Sequence, residues 1–147
     1  IMFSKEESAR LRKEFWTSFG KSFPRKWILY DTKIKGFSFK FLANTKLAMV
    51  CLDIESTDAL KNALLFEQLL SLKSVLAESY LPDCVFDEQY QLANGKQIHR
   101  ISVTHELPFS IHNKETWAGA FEFFNTKMDL FEQFYLEFED YIKQAIE

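Results

Sequence analysis

The chain has 147 residues, 47% of them apolar and 27% charged, which fits one domain with a real core. Its longest purely apolar run, Leu47–Leu52, is far too short to span a bilayer, so no membrane segment is expected. The net charge of −3 hides an asymmetry: residues 1–52 hold eleven Lys/Arg against four acids (+7), residues 53–147 seven against seventeen (−10). A basic half is what nucleic-acid contact requires. It is equally what two halves facing each other, within a fold or across a dimer, would show. The charged residues from Ser4 onward speak against a secretory leader. Two cysteines, Cys51 and Cys84, placed on predicted strands, lead us to expect reduced thiols and a cytoplasmic protein.

Ser4 to Glu7 reads as a capping box that starts a first helix, with Leu11, Phe15 and Phe19 on its buried side. Gly20 is its expected cap, and Pro24 prevents continuation. Arg10, Arg12, Lys13, Lys21, Arg25 and Lys26 form the most basic part of the chain and the candidate nucleic-acid patch. No phosphate-cradling glycine pattern accompanies them.

Trp27 to Glu55 predicts a three-stranded meander with turns at Lys35-Gly36 and Asn44-Thr45. The turns place Ile28, Tyr30, Ile34, Phe37, Phe39, Phe41, Ala48, Val50, Leu52 and Ile54 on a core face, with Thr32 its polar exception. Asp31 falls opposite Lys40 on the other face, a natural cross-strand ion pair. Ser56-Thr57-Asp58 caps a second helix running to about Tyr80, with Leu60, Leu64, Leu65, Leu69, Leu72 and Leu76 inside and Pro82 as its stop.

A hairpin follows around Asn94-Gly95. One of its faces carries Phe86, Glu88, Tyr90, Leu92, Gln97, His99, Ile101 and Val103. Glu88 and His99 break that apolar face, so Glu88, His99 and Tyr90 mark a candidate ligand pocket, or else a polar contact that fixes register. His99 and His105 lie about 20 Å apart along an extended strand and cannot share one ion. No metal site and no cofactor is expected.

From Asn113 to Ile146 the chain reads as one long helix. Trp117, Phe121, Phe124, Met128, Phe131, Tyr135, Phe138, Ile142 and Ala145 recur at spacings of four and three. Unbroken, it would be roughly 50 Å long, against about 38 Å for a compact domain of this size. The surplus apolar surface, at Phe131, Phe134, Tyr135, Phe138, Tyr141 and Ile142, predicts a homodimer through this helix. The whole is a single α+β domain, residues 1–147, in the order α-β-β-β-α-β-β-α.

The stretches FWTSFGKSFPRKWILYDTKIKGFSFKF, LDIE, LLSLKSVL and SIHNKETW resemble a family of short bacterial proteins catalogued only as a domain of unknown function. The resemblance covers essentially the whole chain. It implies a bacterial cytoplasmic protein with no assigned activity. Similar domains also follow a restriction-endonuclease-like domain in longer proteins, which implies a DNA-associated setting. No catalytic residue carries over.

The order α-β-β-β-α-β also resembles the core of the PD-(D/E)XK nucleases, and Asp53-Ile54-Glu55 closes the third predicted strand, where two carboxylates could hold Mg²⁺. The match fails twice. Glu55 stands where that motif has lysine, and Gly36-Phe37-Ser38 supplies no acid. A non-enzymatic binding or interaction module is the expectation, with a nucleic-acid-associated, degenerate nuclease relative as the alternative.

Overall fold

A computed structural model describes residues 3–27 and 32–147. The strand expected at Trp27–Thr32, and the Asp31–Lys40 pair with it, lie for the most part outside the described residues. Helix α1 spans Lys5–Ser22, capped as expected by the Ser4 hydroxyl, which accepts from the Glu7 N–H at 3.1 Å. It runs through Gly20 and ends where the Phe23 N–H reaches the Phe19 carbonyl. Then come strands β1 (Phe37–Ala43) and β2 (Ala48–Ile54), joined by a loop in which the Asn44 carboxamide accepts from the N–H groups of Lys46 and Leu47.

The single helix expected from residue 56 to 80 is two, α2 (Ala59–Leu70) and α3 (Lys73–Ser79). The break falls at Ser71, whose hydroxyl donates to the Gln68 carbonyl at 2.6 Å and competes with helical bonding. It lets Leu72 and Leu76 turn into the core. Leu60 and Leu64, expected on the inner side, are not there. The fold buries Leu65, Phe66 and Leu69, leaving Leu60 and Leu64 exposed at 69% and 40%.

Strands β3 (Val85–Gln91) and β4 (Gln97–Thr104) form the Asn94-Gly95 hairpin. Helix α4 runs Trp117–Lys143 after a short 3-10 turn headed by Asn113, whose side chain accepts from the Glu115 N–H. Among the described residues the order is thus α-β-β-α-α-β-β-α, with an antiparallel sheet in the order β1-β2-β4-β3. No helix among them is long and apolar enough to cross a membrane.

The register sets two faces. Phe37, Phe39 and Phe41 pair with Ile54, Leu52 and Val50, which pair in turn with His99, Ile101 and Val103. Against this inner face, α4 brings Phe131 and Tyr135 to Phe39 at 5.4 and 5.6 Å, and Phe124 to Phe41 at 5.2 Å. Helix α1 adds Phe19, which meets Phe41 and Phe124, and Phe15, which meets Trp117 and Phe121. Helix α2 sets Phe66 on Phe86 and His99.

The apolar surplus expected of the long helix is therefore covered within the chain. Phe131, Phe134, Tyr135 and Ile142 are buried. Phe134 packs on Tyr80 and Phe138, and the Tyr141 hydroxyl bonds the Ser71 hydroxyl at 2.6 Å. At 27 residues α4 is roughly 40 Å long, close to the domain's own width. Helix length therefore gives no reason for a homodimer.

Candidate functional site

The outer face of the sheet carries two of the three buried charged side chains among the described residues, Asp53 and Arg100; the third, Glu132, lies on α4. Ser38, Asp53, Arg100 and Asp87 stand side by side across β1, β2, β4 and β3. The Arg100 guanidinium donates from Nε to Asp53 Oδ1 at 2.7 Å and from Nη2 to Oδ2 at 2.8 Å, a bidentate fork between two buried residues. The Lys40 ammonium lies 3.2 Å from Asp53 Oδ2 and 3.1 Å from Glu55 Oε2.

These bonds engage both carboxylates of the metal reading, Asp53 and Glu55. Both oxygens of Asp53 and one of Glu55 already hold cationic donors. Among the described residues no group of three or more His, Cys, Asp or Glu is placed to hold a metal ion. Cys51, beneath Lys40 on the same face, is fully buried. Burial first, then the neighbouring Asp53, push its thiol far up, so it stays protonated and inert.

Tyr90 stands elsewhere than expected. Asp87 pairs with Arg100 but Tyr90 pairs with Ile98, so β3 carries one extra residue between them. The bulge turns Tyr90 from the inner to the outer face. Its ring now lies under the Arg100 guanidinium, 4.1 Å from the ring centre, closing the ion pair from a third side.

Glu88 and His99 do come together. They line a cleft of ≈ 270 Å³ with Asn62 from α2, Gln89 and Gln97. The contact is not carboxylate to imidazole: the Glu88 backbone carbonyl accepts from His99 Nδ1 at 2.6 Å. That bond requires a proton on Nδ1. The His99 ring stacks on Phe66 at 4.8 Å. The His105 ring lies tilted against Phe123 at 4.8 Å, and burial lowers its pKa. His112 is tied to α1, with Nε2 2.9 Å from the Ser8 hydroxyl.

The six candidate nucleic-acid residues divide. Arg25 is drawn onto α4, where it bonds Asp129 at 2.7 Å and Glu132 at 3.1 Å and lies over Trp27. Arg10, Arg12, Lys13, Lys21 and Lys26 are exposed. At 100° per residue Arg10, Lys13 and Lys21 share one flank of α1 and Arg12 joins Lys5 on the other.

A second group of cations was invisible in sequence. The turn before β1 and the end of β2 enclose a recess of ≈ 310 Å³ whose lining includes Lys33, Lys35, Gly36, Ser38 and Glu55. The Lys61 ammonium donates to the Lys35 carbonyl at 3.2 Å, and that of Lys96 to the Glu55 carbonyl at 3.3 Å. With Lys40 on the Glu55 carboxylate, lysines from three further segments bond two of the lining residues, Lys35 and Glu55.

A family model described as "Domain of unknown function (DUF4268)" matches residues 11–139. No curated protein and no solved structure matches the chain.

Proposed function

The chain belongs to this family of unknown function, and we propose that it is a binding module, not a catalyst, which meets a nucleic-acid backbone along the solvent side of α1. One observation carries the reading. Of the six cations in the basic stretch, the fold turns only Arg25 onto the acidic half; Arg10, Arg12, Lys13, Lys21 and Lys26 remain exposed, with no ion pair among the described residues. Internal charge matching therefore leaves most of that charge unused. Exposed cations along a helix of 18 residues, roughly 27 Å, suit a row of phosphates. The non-catalytic part of the reading is supported by the commitment of Asp53 and Glu55 to Arg100 and Lys40.

Labelled duplex and single-stranded DNA, titrated at low and moderate salt, test it. Binding should weaken steeply with salt. The triple change Arg10→Gln, Lys13→Gln, Lys21→Gln should lower the log–log salt slope by about one for each phosphate no longer neutralised. No binding by the unaltered chain at low salt removes the reading.

A further inference from the structure

We infer that the lysine-ringed recess between the turn before β1 and the end of β2 is a binding site for a multiply charged phosphate group, such as a diphosphate or a phosphomonoester. It stands apart from α1 and does not rest on the nucleic-acid reading. Its volume of ≈ 310 Å³ is at the small end of ligand pockets. Lys33 and Lys35 line it, while Lys61 and Lys96 bond the backbone carbonyls of two lining residues, Lys35 and Glu55.

The charges do not cancel. Asp53 is matched by Arg100, and Glu55, the one acid among the described lining residues, is matched by Lys40. Lys35, Lys61 and Lys96 have no carboxylate partner among the described residues, so the rim keeps a net positive field. The cations are ammonium groups, and the nearby guanidinium is already committed to Asp53. Lysines arriving from several directions act as point charges on a compact polyanion, whereas a carboxylate is better read by the planar fork of arginine.

The turn itself is held in shape. Gly36 has φ +75°, and a Cβ there would lie 2.5 Å from the Ser56 backbone. Lys33 is left-handed at φ 64°. The Thr32 hydroxyl donates to the Phe37 carbonyl at 2.6 Å, and the Glu55 N–H to the Gly36 carbonyl at 2.7 Å. A recess fixed by its backbone loses little order on binding, which favours affinity for a small ligand.

Pyrophosphate, titrated into the ¹⁵N-labelled full chain at low salt, gives the test. Saturable amide shifts are expected at Lys35, Gly36, Ser38 and Glu55. The triple change Lys35→Gln, Lys61→Gln, Lys96→Gln should weaken binding about tenfold or more, since charge-assisted bonds are lost. Glu55→Gln, which removes the repelling carboxylate, should tighten it. The α1 triple variant should bind pyrophosphate within about twofold of the unaltered chain, and its loss of DNA binding alone would leave this site standing. Orthophosphate, adenosine diphosphate and a 5′-phosphorylated oligonucleotide, run in parallel, separate a free phosphate ligand from a strand end. Shifts that do not saturate, or equal affinity in the three-lysine variant, overturn the assignment.

Discussion

Arg100 grips Asp53 through two parallel N–H···O bonds on the outer face of the sheet, and both residues are buried. Desolvating both charges is costly, so the pair is a weak source of net stability, yet losing one partner strands the other. We expect Arg100→Met alone to cost about 3–5 kcal/mol, because Asp53 would keep only Lys40, and the double change Arg100→Met, Asp53→Leu to recover most of that loss. Urea unfolding of the two single variants and the double variant forms the cycle. Equal destabilisation by the single and double variants would show that the pair itself, not the stranded charge, carries the energy.

Local signals were legible in the chain, and non-local ones were not. The Ser4 cap, the Asn94-Gly95 turn and the placing of Phe37, Phe39, Phe41, Val50, Leu52 and Ile54 on one face follow from neighbours in sequence, and the fold keeps them. The loop over 44–47, however, sets the register two residues away from that of a two-residue turn at Asn44-Thr45. Arg100 and Asp53 are 47 positions apart, and only the pairing of β2 with β4 sets them side by side. Alternation alone put Tyr90 on the inner face, since it cannot announce a one-residue bulge. The lysine recess gathers one turn, β1, α2 and the β3–β4 turn, and no spacing rule joins those. Length alone could not show how much of α4 the chain itself covers, because the diameter of an equivalent sphere does not bound a helix whose far end α2, Tyr80 and the sheet can reach.

Gly36 and Gly20 should respond in opposite directions to the same change. Gly36→Ala puts a Cβ into the Ser56 backbone at a left-handed φ of +75°. The strain and the clash together should cost on the order of 2–4 kcal/mol. Gly20 lies inside α1, and a Cβ there would meet nothing within 4 Å, so Gly20→Ala should stabilise by about 0.5–1 kcal/mol. Thermal unfolding compares them. A Gly36→Ala protein as stable as the unaltered chain would mean that the turn is not held as described, and would weaken the phosphate site with it.

Phe131 decides between the two uses of the α4 seam. Its side chain is fully buried against Phe39 within one chain, so Phe131→Ala should cost about 3–5 kcal/mol through the lost transfer energy and the cavity left behind. Leu136, on the same helix but 51% exposed, should tolerate Leu136→Lys within about 0.5 kcal/mol. The two architectures differ in how the unfolding midpoint depends on concentration. If the seam is satisfied within one chain, the midpoint is independent of protein concentration in the unaltered chain and in both variants. If a second copy covers it, the midpoint rises with concentration by mass action, and Phe138→Glu abolishes that rise while Leu136→Lys, on the opposite side of the helix, leaves it. Phe138 is half-buried beside Phe134, and Tyr141 is held by Ser71, which leaves a helical contact between copies little apolar surface to use. We therefore expect unfolding midpoints that coincide from about 1 to 100 μM, and a light-scattering mass equal to one chain across the same range. A mass of two chains with a concentration-dependent midpoint would return the seam to an interface.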